Sequence, residues 1–219
     1  MSTTITSPTL KENWKEVWTS PSQRKLLIIG STIIFIILNA LPIFFRYIEK
    51  RKGIVLHDWL LEQIPPHNVS IYIFSIIWGM ALLVLVRAIK KPGIYICYCW
   101  TLILICIARF ITISIVPLDP PIGLIPLTDP LTEVFYGNAF ITRDLFFSGH
   151  TGTLVLMYLC LQKRTDKIIG LAAIFAVMIL LLVQHIHYTI DILAAPLIVY
   201  GLHWFTCKYI VYDCNYNGS

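Results

Sequence analysis

Two short segments carry the side chains best suited to chemistry: Phe147-Ser148-Gly149-His150 and His187-Tyr188-Thr189-Ile190-Asp191, with thirty-six residues between the two histidines. Each stands at the mouth of a strongly apolar run, where ionisable groups are expensive and are kept for function. His187 and Asp191 are four apart, which predicts one helical face. There the carboxylate can hold one imidazole nitrogen and leave the other as a nucleophile. His150 supplies a second imidazole, able to protonate a departing oxygen and then deprotonate an incoming alcohol or water. Ser148 and the Gly149 backbone, at the start of a helix, can donate hydrogen bonds to phosphate oxygens. Together these groups suit phosphoryl transfer, with His150, His187 and Asp191 as the catalytic set.

Plainer uses exist for the same residues. Ser148 can cap its helix, Gly149 can permit close packing, and Asp191 can be paired without catalysis. His150, His187 and Asp191 can also be counted as three metal ligands, but no compact metal motif surrounds them, and no metal or cofactor is expected. His185 reads as a loop or interface residue, as does His203 at the opposite membrane side. Arg109 lies eight residues before Pro117, about 12 Å below the outer end of its helix. It either faces a phosphate or pairs with Asp144 or another acid.

The elements that must position these groups are membrane helices. Of 219 residues, 57% are apolar and only 13% are Asp, Glu, Lys or Arg, too few to coat a water-soluble surface. Six runs approach the roughly 20 residues that cross about 30 Å of hydrocarbon: Leu26 to Phe45, Val69 to Ala88, Ile94 to Val116, Asp144 or Leu145 to Leu161, Ile168 to Val183, and Ile186 to Thr206. The fold class is therefore all-α, a polytopic membrane protein with six transmembrane helices. A cytoplasmic tail (1–25) precedes a six-helix catalytic membrane domain (26–206) and a cytoplasmic tail (207–219). The first thirty residues do not read as a cleaved signal peptide. Lys11 to Trp18 reads instead as a short interfacial helix, with Trp14 and Trp18 on one face.

Charge orients the spans. With both termini cytoplasmic, eleven Lys or Arg fall on that side and five on the other, Arg109 being inside the third span. Arg46, Lys50, Arg51 and Lys52 run against this bias and suit either headgroup contact or substrate steering. In this orientation the five-proline loop from Pro117 to Pro130 and both histidine motifs share the noncytoplasmic leaflet. The net charge of +5 sits in juxtamembrane stretches and implies membrane lipid rather than nucleic acid as partner. Among the six cysteines, Cys97-Tyr98-Cys99 lacks metal spacing, and no disulfide framework is implied.

The run Arg143-Asp144-Leu145-Phe146-Phe147-Ser148-Gly149-His150-Thr151, followed by His187-Tyr188-Thr189-Ile190-Asp191, resembles the sphingomyelin synthase branch of the PAP2 lipid phosphatase and phosphotransferase superfamily. That resemblance implies six membrane helices, His187 as nucleophile, Asp191 as its partner and His150 as the acid/base. Arg109-Phe110-Ile111-Thr112, followed by Pro117, is similar to the family's arginine-containing segment. Substrate binding is thus assigned to Arg109, Arg143, Ser148 and Gly149. Phe147 replaces the proline usual before Ser-Gly-His in lipid phosphatases, Leu181 stands where they have arginine, and their Lys-six-residues-Arg-Pro tract is absent. These departures agree with the transferase branch. The implied partners are a glycerophospholipid donor and a ceramide or diacylglycerol acceptor. A lipid phosphate hydrolase of phosphatase or phospholipase C type shares the same chemistry. A transporter would instead place polar groups near the midplane, often in paired half-domains.

Overall fold

Many apolar side chains of the described helices point outward. In the computed structural model, which describes residues 13–127 and 141–211, Phe35, Ile43, Leu82, Phe175 and Leu197 are each more than half exposed. Lys11 and Pro130 lie outside the described residues, as do the outer parts of both tails and, with them, the sixth cysteine, Cys214. The described helices are α1 (Trp14–Thr19), α2 (Pro21–Ile48), α3 (Trp59–Glu62), α4 (Ser70–Lys90), α5 (Pro92–Ile115), α6 (Gly149–Cys160), α7 (Arg164–Val183) and α8 (Thr189–Phe205); α8 continues into a π-helical turn, Thr206–Ile210. No strand occurs among the described residues, only an isolated bridge between Ile54 and Leu118. Pro21 and Pro92 begin α2 and α5, where a missing N–H costs nothing.

Among the described residues, five helical stretches, against the six expected, are long and apolar enough to cross a membrane: α2, α4, α5, α7 and Thr189–Ile210. The expected fourth span is the exception. Residues 144–148 are not helical, and the 12 residues of α6 cover only about 18 Å. This helix packs against α4, α5, α7 and α8, with Gly152, Leu154, Val155, Leu156 and Met157 all buried. Its apolar composition therefore answers to a protein core rather than to lipid. The irregular stretch before it is satisfied by its neighbours: Arg109 Nε donates to the Phe147 carbonyl at 3.2 Å, Thr112 Oγ1 to the Phe146 carbonyl at 2.8 Å, and the Ser148 N–H to the Asp191 carbonyl at 3.1 Å. Non-helical backbone at membrane depth requires such internal partners.

Both ends of the described chain meet at one end of the bundle. Val17 of α1 packs with Leu27, Ile96 and Val211, and Trp14 Nε1 donates to the Ile89 carbonyl at 2.8 Å. The expected interfacial helix thus docks through Trp14, while Trp18 stays 51% exposed. α2 starts at Pro21, inside the stretch read from sequence as tail. At the same end Arg87 grips Asp166 with two hydrogen bonds, 2.6 and 3.0 Å, joining α4 to α7.

The other end is built from loops. Segments 49–69 and 116–127 are laced together by the Ile54 N–H to Pro117 carbonyl bond and the return bond from the Asp119 N–H to the Ile54 carbonyl, both 3.0 Å. They are then tied to the turn between α7 and α8. Gln184 Nε2 donates to Ser70 Oγ (2.7 Å), and its Oε1 accepts from the Val69 N–H (3.1 Å). The His185 ring bridges the carbonyls of Ile122 (2.9 Å) and Ile64 (2.8 Å), which fits its reading as a loop residue. Part of this loop layer borders an open cleft of about 540 Å³ lined by Asp58, Ile64, Gly123, His185 and Tyr188, among others.

Candidate active site

The site gathers at the loop end of α5, α6 and α8. α6 begins where Ser148 accepts a hydrogen bond from the Thr151 N–H at 3.3 Å, an N-cap worth about 1 kcal/mol. Ser148 is fully buried, so the capping use foreseen for it is realised and its hydroxyl hydrogen remains available as a donor. Gly149 and His150 are the first two helical residues, whose N–H groups have no carbonyl partner within the helix. A helix start of this kind favours an anion.

Arg109 reaches this helix start from α5. Its guanidinium pairs with Asp144 and lies directly over Gly149: a Cβ added there would sit 2.6 Å from Arg109 Cζ. Gly149 is thus the residue type that lets a cation approach the first turn of α6. Of the two uses foreseen for Arg109, the pairing with Asp144 is the one seen, and it holds the cation beside the helix start. Arg143 is placed differently. Its Nε donates to Asp119 at 2.8 Å and one terminal nitrogen to the Glu49 carbonyl at 2.6 Å, while the Glu49 carboxylate accepts from its N–H at 2.7 Å. These bonds tie the segment before α6 to both loops, and the side chain keeps about a quarter of its surface exposed.

His187 and Asp191 come together, but not on one helical face. α8 starts only at Thr189, so His187 precedes the helix and Asp191 occupies its first turn. One carboxylate oxygen of Asp191 accepts from the Tyr188 N–H at 3.1 Å and lies 3.6 Å from His187 Nδ1. Capping the helix and facing the imidazole are therefore one arrangement. His187 is 1% exposed and Asp191 0%, and the His187 and His150 rings meet edge-on with centroids 6.1 Å apart. Three buried polar atoms here, His150 Nδ1, His187 Nδ1 and Asp191 Oδ1, have no hydrogen-bond partner among the described residues. Buried polar atoms left unpaired are uncommon and concentrate where chemistry is done.

Several residues that organise the site escaped the sequence reading. Asp58, far away in sequence, accepts from the Thr189 N–H (2.6 Å), from Thr189 Oγ1 (2.9 Å) and from the Leu61 N–H (3.2 Å), clamping the starts of α3 and α8 together. Burial pushes this carboxyl up, but the hydrogen bonds from Thr189 and Leu61 outweigh it and hold Asp58 below the usual carboxylate range. Tyr188 Oη donates to the Asp119 carbonyl at 2.9 Å and accepts from the Leu56 N–H at 3.1 Å. The only local signal for either was a polar pair, Tyr188-Thr189, opening an apolar helix. His203, read as a loop or interface residue, is instead 6% exposed inside the opposite end of the bundle, beside cysteines from other elements.

No curated protein matches the chain. Residues 143–208, which carry α6, α7, α8 and with them His150, His187 and Asp191, match the family model described as PAP2 superfamily C-terminal. That match, over 66 of the 219 residues, supports the PAP2 superfamily, a group of lipid phosphatases and phosphotransferases, for the segment in which the two histidines meet.

Proposed function

We propose that the protein is a lipid headgroup phosphotransferase resembling sphingomyelin synthase, moving a phosphoalcohol from a glycerophospholipid to ceramide or another lipid alcohol. The observation that carries this reading is the pairing of two imidazoles, with centroids 6.1 Å apart, one backed by a buried carboxylate and the other at a helix start covered by a guanidinium. With Nδ1 of His187 toward Asp191, Nε2 is the nitrogen that attacks phosphorus. The phosphorus–oxygen bond to diacylglycerol breaks, and His150 gives that oxygen its proton. The acceptor hydroxyl then passes its proton to His150 and attacks phosphorus, and the phosphorus–nitrogen bond to His187 breaks. Arg109, the free N–H groups of α6 and the Ser148 hydroxyl face the phosphate charge, with Arg143 at the rim.

Leu181 favours transfer over hydrolysis: it is fully buried in the core of α7, where the lipid phosphatase pattern has an arginine. In this reading the site faces the noncytoplasmic leaflet. Purified protein in mixed lipid, given headgroup-labelled phosphatidylcholine or phosphatidylethanolamine with ceramide or diacylglycerol, is expected to place the label in a new lipid. His187→Ala should abolish this while leaving the folded protein in the membrane. Exclusive release of soluble phosphoalcohol or phosphate with acceptors present overturns the transferase in favour of the hydrolase. An impermeant thiol reagent directed at Ile122→Cys, a position 84% exposed in the loop layer, tests the orientation; labelling from the cytoplasmic side alone inverts it.

A further inference from the structure

At the end of the bundle away from His150 and His187, three helices bring soft donor groups together. Cys97 of α5, Cys160 at the close of α6 and His203 in the last turn of α8 are 3%, 6% and 6% exposed, and one donor atom from each lies within 4.8 Å of the others. Cys97 Sγ is 3.8 Å from His203 Nδ1. Cys207, in the π-helical turn, adds a sulfur 3.5 Å from His203 Nε2 and 4.0 Å from Cys97 Sγ. A tetrahedral site with metal–sulfur bonds of about 2.3 Å holds its sulfurs roughly 3.8 Å apart. The three donors, all within 4.8 Å of one another, need close by no more than about an ångström to reach that spacing.

We propose that Cys97, Cys160 and His203 form a buried site for a thiophilic divalent metal ion of the zinc type, with Cys207 orienting the imidazole. Two thiolates neutralise a divalent ion, so the filled site carries no net charge inside an apolar bundle, whereas a monovalent ion would leave an uncompensated negative charge. Binding forms two metal–sulfur bonds and one metal–nitrogen bond, and the two thiol protons leave to water. An N–H at Nε2 donating to Cys207 Sγ leaves the Nδ1 lone pair facing Cys97, the outer-shell arrangement that fixes the tautomer of a ligating histidine. Local spacing hides the site because its donors come from separate helices. The same three helices carry Arg109, His150 and Asp191 at their other ends. His203 is twelve residues beyond Asp191 on α8, about 18 Å along the axis, so the ion would staple the scaffold of the active site without entering it.

The test uses the full chain, purified in detergent and titrated with Co²⁺ and then Zn²⁺. The expected result is one Co²⁺ per chain, with an intense thiolate-to-cobalt charge-transfer band that Zn²⁺ displaces. Cys97→Ser and Cys160→Ser should abolish the band, and Cys207→Ala should weaken binding by roughly tenfold or more. Cys99→Ser, a buried cysteine packed instead beside Ile37 and Ile103, should retain it. Should a ligand variant misfold, the wild-type protein still decides the matter, because Zn²⁺ should slow alkylation of Cys97 and Cys160, read by peptide mass, and leave Cys99 unchanged. Folded wild-type protein that shows neither the band nor zinc protection overturns the proposal, as does a band that survives Cys97→Ser.

Discussion

Asp191→Asn is the sharpest perturbation of the proposed mechanism, because it removes a charge and almost nothing else. The asparagine carbonyl can still accept from the Tyr188 N–H that Asp191 binds at 3.1 Å, so the cap of α8 and the place of His187 should persist. What disappears is a negative charge 3.6 Å from His187 Nδ1, opposite the ring that turns cationic as Nε2 bonds to phosphorus. At an effective dielectric constant of about 20, unit charges at that separation attract by about 4.6 kcal/mol. With roughly half of the charge developed in the transition state, the loss is about 2.3 kcal/mol, or some fiftyfold in kcat; with all of it, about three powers of ten. The assay is headgroup transfer under donor and acceptor saturation, run beside a thermal melt to show that the variant is folded. The donor KM should change little, since the charge acts on the reacting nitrogen and not on the bound lipid. A folded variant within about threefold of the wild-type kcat, against the ~50-fold expected, would take Asp191 out of the reaction.

The remaining expectations concern the supports of the site. Gly149→Ala should push Arg109 off α6 and away from Asp144 and the Phe147 carbonyl, lowering stability by about 1.5–3 kcal/mol for charge-assisted hydrogen bonds and depressing transfer, measured by melting and rate together. Arg143→Gln should raise the donor KM more than it lowers kcat, read from saturation curves. Asp58→Ala should cost about 1–2 kcal/mol by uncapping α3 and α8. Because the folded protein holds Asp58 below the usual carboxylate range, its contribution is fully present above about pH 4 and fades as acid titrates the folded carboxyl. The melting difference between wild type and Asp58→Ala should therefore shrink on acidification, and a difference that grew would contradict the clamp.

What could be read from sequence follows the range of the interactions involved. The apolar runs and the His187–Asp191 spacing are local, and the all-α architecture and the partnership of those two residues were legible from them. The helical face assumed for that pair was not, because α8 begins late: Asp58 holds Thr189 from 131 positions away, and Asp191 turns back to cap Tyr188. Nor can composition distinguish a helix in lipid from one in a protein core, since both environments demand the same side chains. The composition of α6 therefore reads as a sixth full span, although the helix has only 12 residues and is surrounded by neighbours. Arg109 and Asp144, 35 apart, and Cys97 and His203, 106 apart, meet only after the bundle has formed.

The shortness of α6 is itself what builds the proposed site. A helix running the full depth from Asp144 would place Gly149 and His150 in its second turn, with their N–H groups consumed by carbonyls one turn earlier. Beginning at Gly149 instead, α6 keeps those N–H groups within the protein, where Arg109 and the two imidazoles can share a phosphate with them. The cost is an unwound stretch, 144–148, whose polar groups must be satisfied by Arg109, Thr112 and the Asp191 carbonyl. The residues that make the backbone break tolerable are thus in part those assigned to the substrate. Thr112→Val separates the two duties, since it removes the hydrogen bond to the Phe146 carbonyl, and a longer one of 3.4 Å to the Arg109 backbone carbonyl, while leaving the Arg109, His150 and His187 side chains unaltered. It should lower the melting temperature, by the loss of one buried hydrogen bond of about 1 kcal/mol, and reduce kcat only through misplacement of α6. A variant with unchanged stability and unchanged rate would show that the break before α6 needs no such support.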